Sequence, residues 1–282
     1  FFQHTGKVPC PHVKERPLLK WVGGKRQLLP ELTAKMPRTF NTYFEPFIGG
    51  GAMLFELHPE KAVIGDINGE LINFYNAVKN NVETLLKLLF TYQNTKEFFL
   101  DKRNIDRDPE KFNLLTSIEK AARTYYLNRT CFNGLYRVNS KGLFNTPYGH
   151  YKSPFVPVVD RFLAVSSYLK DNDVKIKHAS YLEICKDCEK GDFVYFDPPY
   201  DPISSTSFTS YASDGFSQND QCELKELCGT LDKKGVKFML SNSATPFIKE
   251  LYKDYNCTFV KAKRFVNPNR EGSGSADEIL VR

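Results

Sequence analysis

No stretch of about 18 consecutive apolar residues occurs in this 282-residue chain, which excludes a membrane-spanning helix. Histidine is scarce: five residues, scattered, form neither a metal-ligand cluster nor a readable Ser/His/Asp arrangement. The seven cysteines are an odd number without a regular framework, in a chain large enough to fold without staples. Cys185-Lys186-Asp187-Cys188 is a lone C-x-x-C, with no second ligand pair at the spacing zinc needs. We therefore expect reduced thiols, an intracellular setting and no metal. No repeat or low-complexity tract is visible. Residues 1–15, polar and dotted with Pro and His, lack a charged-then-apolar leader pattern and are set aside as an N-terminal extension, processed or appended.

What is present is ordinary for a soluble globular chain with a sizeable core: 41% hydrophobic and 26% charged residues. The length is that of about two average domains. The 39 Lys and Arg exceed the 33 acids by too little to indicate a polyanionic partner by themselves. Their placement says more. From Glu119 to Lys152 there are six basic residues (Lys120, Arg123, Arg129, Arg137, Lys141, Lys152) against one acid, a net of +5 in 34 residues.

Short β-type runs fall at Thr42–Phe47, Ala62–Asp66, Val174–His178, Asp192–Asp197, Val236–Ser241, Thr258–Ala262 and Glu278–Val281. Phe193-Val194-Tyr195-Phe196 is a continuous apolar run, as a strand buried on both faces of a parallel sheet requires. Helical patterns at Ala52–Leu57, Glu70–Phe90, Asp220–Leu231 and Thr245–Tyr252 lie between some of these runs. The alternation predicts an α/β, doubly wound, mostly parallel sheet. Residues 68–172 break the rhythm with long helical patterns (Asn73–Leu89, Ser117–Leu127) and little that reads as a strand. We read them as a helical insertion into a sheet domain made of residues 16–67 and 173–282. Two loops are rich in Ser or Gly, Ser204–Ser210 and Asn267–Ala276.

Two strand ends carry chemistry. Phe44-Glu45-Pro46-Phe47-Ile48-Gly49-Gly50-Gly51 is a glycine turn between the first strand and a helix, where an open α/β sheet binds cofactors. Its spacing is not the dinucleotide G-x-G-x-x-G, which weakens a nicotinamide reading. Asp66 ends the second strand where a ribose diol would need an acceptor, although a plain glycine turn and an exposed acid would look the same. More specific is Asp197-Pro198-Pro199-Tyr200 after the buried run. Two prolines make the turn rigid and free its carbonyls from local amides. A carboxylate, a carbonyl and a ring face are what a flat base bearing an amino group requires: two acceptors for the amine, and Tyr200 to stack on it.

Taken together, Trp21-Val22-Gly23-Gly24-Lys25, Phe44–Gly51, Asp66 and Asp197–Tyr200 resemble the Dam-type DNA adenine methyltransferases, and the similarity runs through Asn128–Tyr151 and covers roughly residues 17–282. The order of cofactor turn, recognition insertion and Asp-Pro-Pro-Tyr is that of the family's alpha class. The resemblance implies the fold of S-adenosylmethionine-dependent methyltransferases, transfer to adenine N6 (in most members within GATC), and double-stranded DNA as the partner. It implies that Trp21, Lys25, Phe47, Gly49, Gly51, Asp66 and Asp197 line the S-adenosylmethionine site. Ser180 stands where the family often has an acid, a departure that leaves a weaker, uncharged contact to the cofactor adenine. Asp197, Pro198, Pro199 and Tyr200 would be catalytic, with Asp197 and the Pro198 carbonyl accepting the two amine hydrogens. Arg137 matches a family arginine that contacts guanine, the commonest base contact. Leu135 and Pro147 match positions that pack against pyrimidines. Phe132 and Asn133 would wedge into the duplex beside the space left by the extruded base, and Lys20 would reach a guanine at the site's edge. Lys141, Arg129 and Lys152 suit phosphates. A single chain, without metal or obligate protein partner, would act in the cytoplasm at the nucleoid. Ser204–Ser210, with Phe208 and Tyr211, reads as a flap near the target strand. Two rivals remain open: a methyltransferase for RNA or another amino group, and a catalytically inactive DNA-binding relative.

Overall fold

The computed structural model describes residues 15–21, 23, 25–202, 215–262 and 276–282. The extension at 1–14, Val22 and Gly24, the Ser204–Ser210 flap with Phe208 and Tyr211, and nearly all of the Asn267–Ala276 loop lie outside the described residues. Among the described residues, seven strands form one sheet: β1 (Tyr43–Glu45), β2 (Lys61–Asp66), β3 (Asp173–His178), β4 (Phe193–Phe196), β5 (Lys237–Ser243), β6 (Cys257–Ala262) and β7 (Ala276–Val281). Their order is β3-β2-β1-β4-β5-β7-β6. All neighbours are parallel except at β7, which runs antiparallel between β5 and β6. The seven runs read from sequence are these seven strands, and the sheet is the α/β, doubly wound, mostly parallel one that the alternation predicts.

Strand side chains alternate between faces, and here each face has its own core. Tyr43, Phe193, Tyr195 and Met239 point into one cluster, Phe44, Val194, Phe196, Phe238 and Leu240 into the other. That is why the run Phe193–Phe196 carries no polar residue. The first face is covered by α3 (Gly69–Leu89), α6 (Ser117–Thr130) and α7 (Val159–Asp171), after α1 (Leu29–Lys35) and α2 (Ala52–Leu57). The second is covered by α8 (Tyr181–Cys185), α9 (Gln218–Lys234) and α10 (Pro246–Leu251). Helix starts follow their capping residues: Asn68 accepts from Leu71 N, while Thr116 with Glu119 and Ser217 with Asp220 form capping boxes.

Within residues 68–172 the packing divides. α3, α6 and α7 contribute to the sheet's own core, whereas Phe99, Tyr126, Leu127, Cys131, Tyr136 and Phe144 form a separate, smaller cluster. That cluster joins α4 (Lys96–Asn104) to a hairpin after α6; α5 (Pro109–Leu114) lies between them in sequence. The hairpin closes through the antiparallel bridges Cys131↔Tyr148 and Val138↔Phe144, with its tip at Asn139–Gly142, where Asn139 Oδ1 accepts from Lys141 N and Leu143 N. Bridges this brief carry no alternating pattern, so the sequence shows helices alone.

Cys185 and Cys188 are buried together. The hydrogen bond from Cys188 and burial push the Cys185 thiol far above its usual range, so this C-x-x-C is a packed pair rather than a reactive one. Among the described residues no group of three His, Cys, Asp or Glu could hold a metal ion. No described helix is long and apolar enough to cross a membrane.

Candidate active site

The sheet reverses its winding between β1 and β4, and the crevice outside those carboxyl ends is where such sheets take ligands. The glycine turn, Asp66, Ser180 and Asp197 all emerge on this edge, from the ends of β1, β2, β3 and β4. Glu45 closes β1 from inside: its buried carboxyl accepts from Tyr43 Oη (2.8 Å) and from Leu54 N in the first turn of α2 (3.1 Å). Burial pushes its pKa well up.

Gly49 (φ +47°) and Gly51 (φ +73°) have left-handed backbone, which disfavours any side chain there. The space beside them is filled by the protein itself. A Cβ on Gly49 would lie 2.7 Å from the Trp21 ring, and one on Gly51 would lie 2.8 Å from Tyr75 Oη. Trp21, Tyr75 and Phe55 occupy the room that side chains here would need, so the turn presents its backbone. Phe47 stacks on Tyr181 (centroids 5.3 Å apart), next to Ser180, whose hydroxyl accepts from Glu183 N and starts α8.

Asp66 accepts from Gly49 N through Oδ2 (3.3 Å) and from Asn68 N through Oδ1 (2.9 Å), which ties the β2 end to the glycine turn. Burial raises its pKa to about 6 against these amides. Beside it Ile67 is 66% exposed, an apolar side chain turned outward at the crevice that sequence reasoning missed. His178 Nε2 donates to the Ile67 carbonyl (3.0 Å), joining the ends of β2 and β3.

At the end of β4, Lys25 Nζ lies 2.8 Å from Asp197 Oδ1. The pair is a close one, and Oδ1 is itself buried. Burial pushes the Asp197 carboxyl up, Lys25 pulls it back, and Glu278 adds to the rise. The same ammonium sits 4.6 Å from the Tyr200 ring centroid and donates to the Gly23 carbonyl (2.7 Å). Tyr200 Oη donates to Glu278 Oε2 (2.8 Å). Sequence alone left both proline carbonyls free. That of Pro199 is in fact taken by Gln221 Nε2 at 3.0 Å, whereas among the described residues the Pro198 carbonyl has no donor.

The hairpin residues are placed as a set. Phe132 (51% exposed), Asn133, Leu135, Lys141 and Pro147 face outward, and Arg137 is half-buried with its Nε donating to Asn145 Oδ1 (2.8 Å). Asn133 has positive φ (+54°), consistent with a side chain held out at a tight turn. Lys20 joins this region through Asn128, which is fully buried and both donates to the Lys20 carbonyl (2.7 Å) and accepts from Lys20 N (2.9 Å). Asn128 also reaches the Gly134 carbonyl (3.3 Å). Burial and the neighbouring Arg129 lower the Lys20 pKa, the mark of two cations held close. Lys20, Arg129, Arg137, Lys141 and Lys152 take part in none of the ion pairs among the described residues. Arg123, counted with them in the sequence, is different: it is 1% exposed and paired inside the protein with Asp106 (2.7 Å) and Glu70 (3.4 Å). Its charge does not reach the surface.

Trp21 connects the two regions. Its ring covers Gly49 on one side and stacks on Tyr136 of the hairpin, with centroids 5.0 Å apart.

A parallel sheet with one antiparallel strand slotted beside β5, and acids at the tips of β2 and β4, defines the α/β methyltransferases. The chain belongs within them to a particular family: the model for D12 class N6 adenine-specific DNA methyltransferases matches residues 21–266. It is 49% identical over 269 residues to the type II methyltransferase M1.LlaDCHI of Lactococcus lactis subsp. cremoris, covering 94% of each chain. It is 40% identical over 272 residues to the type II methyltransferase M.MjaIII of Methanocaldococcus jannaschii, covering 89% of this chain and 93% of that one. With a DNA adenine methylase of Vibrio cholerae it shares 35% identity over 277 residues, 95% of this chain and 96% of the other. The enzyme is thus an adenine-specific DNA methyltransferase, and its substrate is DNA.

Proposed function

We propose that the enzyme methylates adenine N6 within GATC in double-stranded DNA, on a base turned out of the duplex, with S-adenosylmethionine as donor. The observation that carries the reading is the Asp197–Tyr200 corner at the sheet's switch point, with a carboxylate next to the Pro198 carbonyl, which has no donor among the described residues.

The residues present suit the donor. Each Asp66 oxygen accepts one backbone N–H and has a lone pair left for a ribose hydroxyl. Exposed Ile67 offers an apolar face for the adenine ring, with Ser180 at the neighbouring strand end. Trp21, Lys25, Phe47, Gly49 and Gly51 complete the wall. When bound, S-adenosylmethionine supplies an electrophilic methyl group on a sulfonium.

The adenine amine is a poor nucleophile because its lone pair is delocalised into the ring. Turning the base out of the stack costs roughly a few kcal/mol. Asp197 and the Pro198 carbonyl then accept the two amine hydrogens, which favours a pyramidal nitrogen with its lone pair free. Asp197 Oδ1 is buried against Lys25, so Oδ2 is the oxygen that meets the base. Lys25 offsets the burial that would protonate this carboxyl, and Tyr200, held through Glu278, presents its ring to the base. Holding the partners in line is the main catalytic contribution.

On the DNA side, Arg137 reads guanine, Leu135 and Pro147 pack on pyrimidine edges, and Phe132 with Asn133 fills the place of the extruded base. Lys20 reads the outer guanine, while Arg129, Lys141 and Lys152 hold phosphates. Residues 68–172 carry the target-recognition module in α4 and the hairpin, which pack apart from the sheet's core, and a single chain acts in the cytoplasm. Arg137→Ala is expected to lower discrimination at the guanine by about 1–3 kcal/mol, read as kcat/KM on GATC duplexes against duplexes altered at that base.

Sequencing the adenines modified in duplex DNA by the purified enzyme tests the reading. Methylation confined to GATC supports it. Modification at other sites rejects the specificity, and transfer to RNA alone rejects the substrate.

Asp66 gives the donor step a pH dependence. Ribose hydroxyls favour its ionised form, so donor affinity is expected to fall as pH drops below about 6, by up to about tenfold per unit. Folding stability moves the other way. The folded carboxyl keeps its proton up to about 6, the unfolded one only to about 4, so this group adds stability as pH falls across that window. Titrating donor binding from about pH 5 to about pH 8 in wild type and Asp66→Asn checks this; the variant should bind weakly and without the slope.

A further inference from the structure

Behind the Asp197–Tyr200 corner runs a chain of side-chain amides whose direction is fixed by the backbone. Asn242, in β5 and fully buried, accepts through Oδ1 from Asp201 N (3.0 Å) and Ser243 N (2.8 Å). A backbone N–H can only donate, so this amide cannot be turned round. Its Nδ2 therefore faces Gln221 and donates to Oε1 at 3.0 Å. Gln221, fully buried near the start of α9, has its Nε2 left for the Pro199 carbonyl, 3.0 Å away. Each orientation follows from the one before it.

This arrangement meets a need of the corner. Proline fixes φ and removes the N–H, but at Pro199, which no further proline follows, it leaves ψ open, and ψ decides where the carbonyl points. Neither Pro198 nor Pro199 can be anchored by its own amide. The other supports are at the flank: Tyr200 Oη on Glu278, Asp201 N on Asn242, and Thr245 Oγ1 donating to Asp201 Oδ2 (2.6 Å). Gln221 is the support that acts on a proline carbonyl directly. On the buried side of α9 it stands in line with Leu224, Cys228 and Leu231, where an apolar residue would fill the space at no cost in desolvated amide.

We propose that Gln221 and Asn242 are positioning residues for methyl transfer: they draw the Pro199 carbonyl back into the protein, so that the Pro198 carbonyl and Asp197 face the target amine. The inference rests on the reading above and deepens it.

The test compares wild type with Gln221→Met, which keeps the volume but donates nothing, and Asn242→Asp. The latter keeps an oxygen for the two backbone N–H groups but loses the hydrogen that orients Gln221, so the glutamine amide turns over. Donor and duplex affinities are measured first, then the single-turnover rate of the saturated complex. Both variants should slow that rate, Gln221→Met by about 100-fold, with both affinities changed by no more than about twofold. The double variant should be no slower than Gln221→Met, because the two act along one path. Transfer at the wild-type rate in either saturated variant overturns the proposal, as does slowing accounted for by weaker binding. If Gln221→Met does not fold, Asn242→Asp decides by the same readout. A wild-type protein that fails to methylate duplex DNA rejects the functional reading itself, a result distinct from a wild type that transfers beside variants that transfer equally.

Discussion

Asp197→Asn is expected to slow methyl transfer by about 1,000-fold while moving the thermal midpoint by no more than a few degrees. The loss follows from replacing an acceptor carboxylate by an amide that can turn a donor toward the amine. The mild effect on stability follows from the sign of the pKa shift. Burial and Glu278 push this carboxyl above its usual range despite Lys25, so the folded protein holds the proton more tightly than the unfolded chain does. The group therefore adds stability as pH falls toward the unfolded value and costs stability at neutral pH. Asparagine removes that cost and leaves Lys25 without its partner, two effects of opposite sign. Lys25→Met combined with Asp197→Asn removes both charges, and buried pairs replaced this way are often neutral to stabilising by about 1–4 kcal/mol. Calorimetry beside single-turnover kinetics separates the two quantities. An Asp197→Asn enzyme that still methylates at the wild-type rate removes Asp197 from the chemistry.

Arg123→Met should do the reverse, with its main effect on the fold. The guanidinium is buried, pairs with Asp106 and Glu70, and donates to the Lys102 and Arg103 carbonyls. Breaking a buried pair from one side costs about 3–5 kcal/mol because the remaining charge is stranded. In a chain of this size that is a fall of roughly 10 °C in midpoint. Asp106 Oδ2 also accepts from Phe144 N in the hairpin (2.9 Å), so the loss should spread to DNA binding. A stable variant with weakened DNA binding alone would mean that Arg123 acts as a surface charge after all.

How much of this was legible beforehand depended on range in sequence. Strands with both faces buried announce themselves by composition, and Phe193–Phe196 and Ala62–Ile64 are readable for that reason. Strand-end acids and the double-proline corner are short-range patterns, so Asp66 and Asp197 were legible too. The pairing partners were not. Asn128, Gln221 and Asn242 look like ordinary polar residues until the fold brings them to backbone carbonyls and an amide from 22 to 108 residues away. Glu278 stands at the start of a strand where an exposed acid is commonplace, and only its neighbour Ser243 across the ladder places it beside the corner. Arg123 misled because charge counting along a chain cannot tell an internal ion pair from a surface one.

Lys20, Trp21 and Lys25 touch, in turn, the hairpin's base, its aromatic stack with the glycine turn, and the Asp197 carboxylate. Three residues close in sequence thus link the hairpin, the glycine turn and the end of β4. Under the proposed function, a shift of Tyr136 when the hairpin meets a duplex would pass through the indole to the glycine turn, and by reciprocity a donor seated there would bias the hairpin. That link runs through a single tryptophan, the only one in the chain.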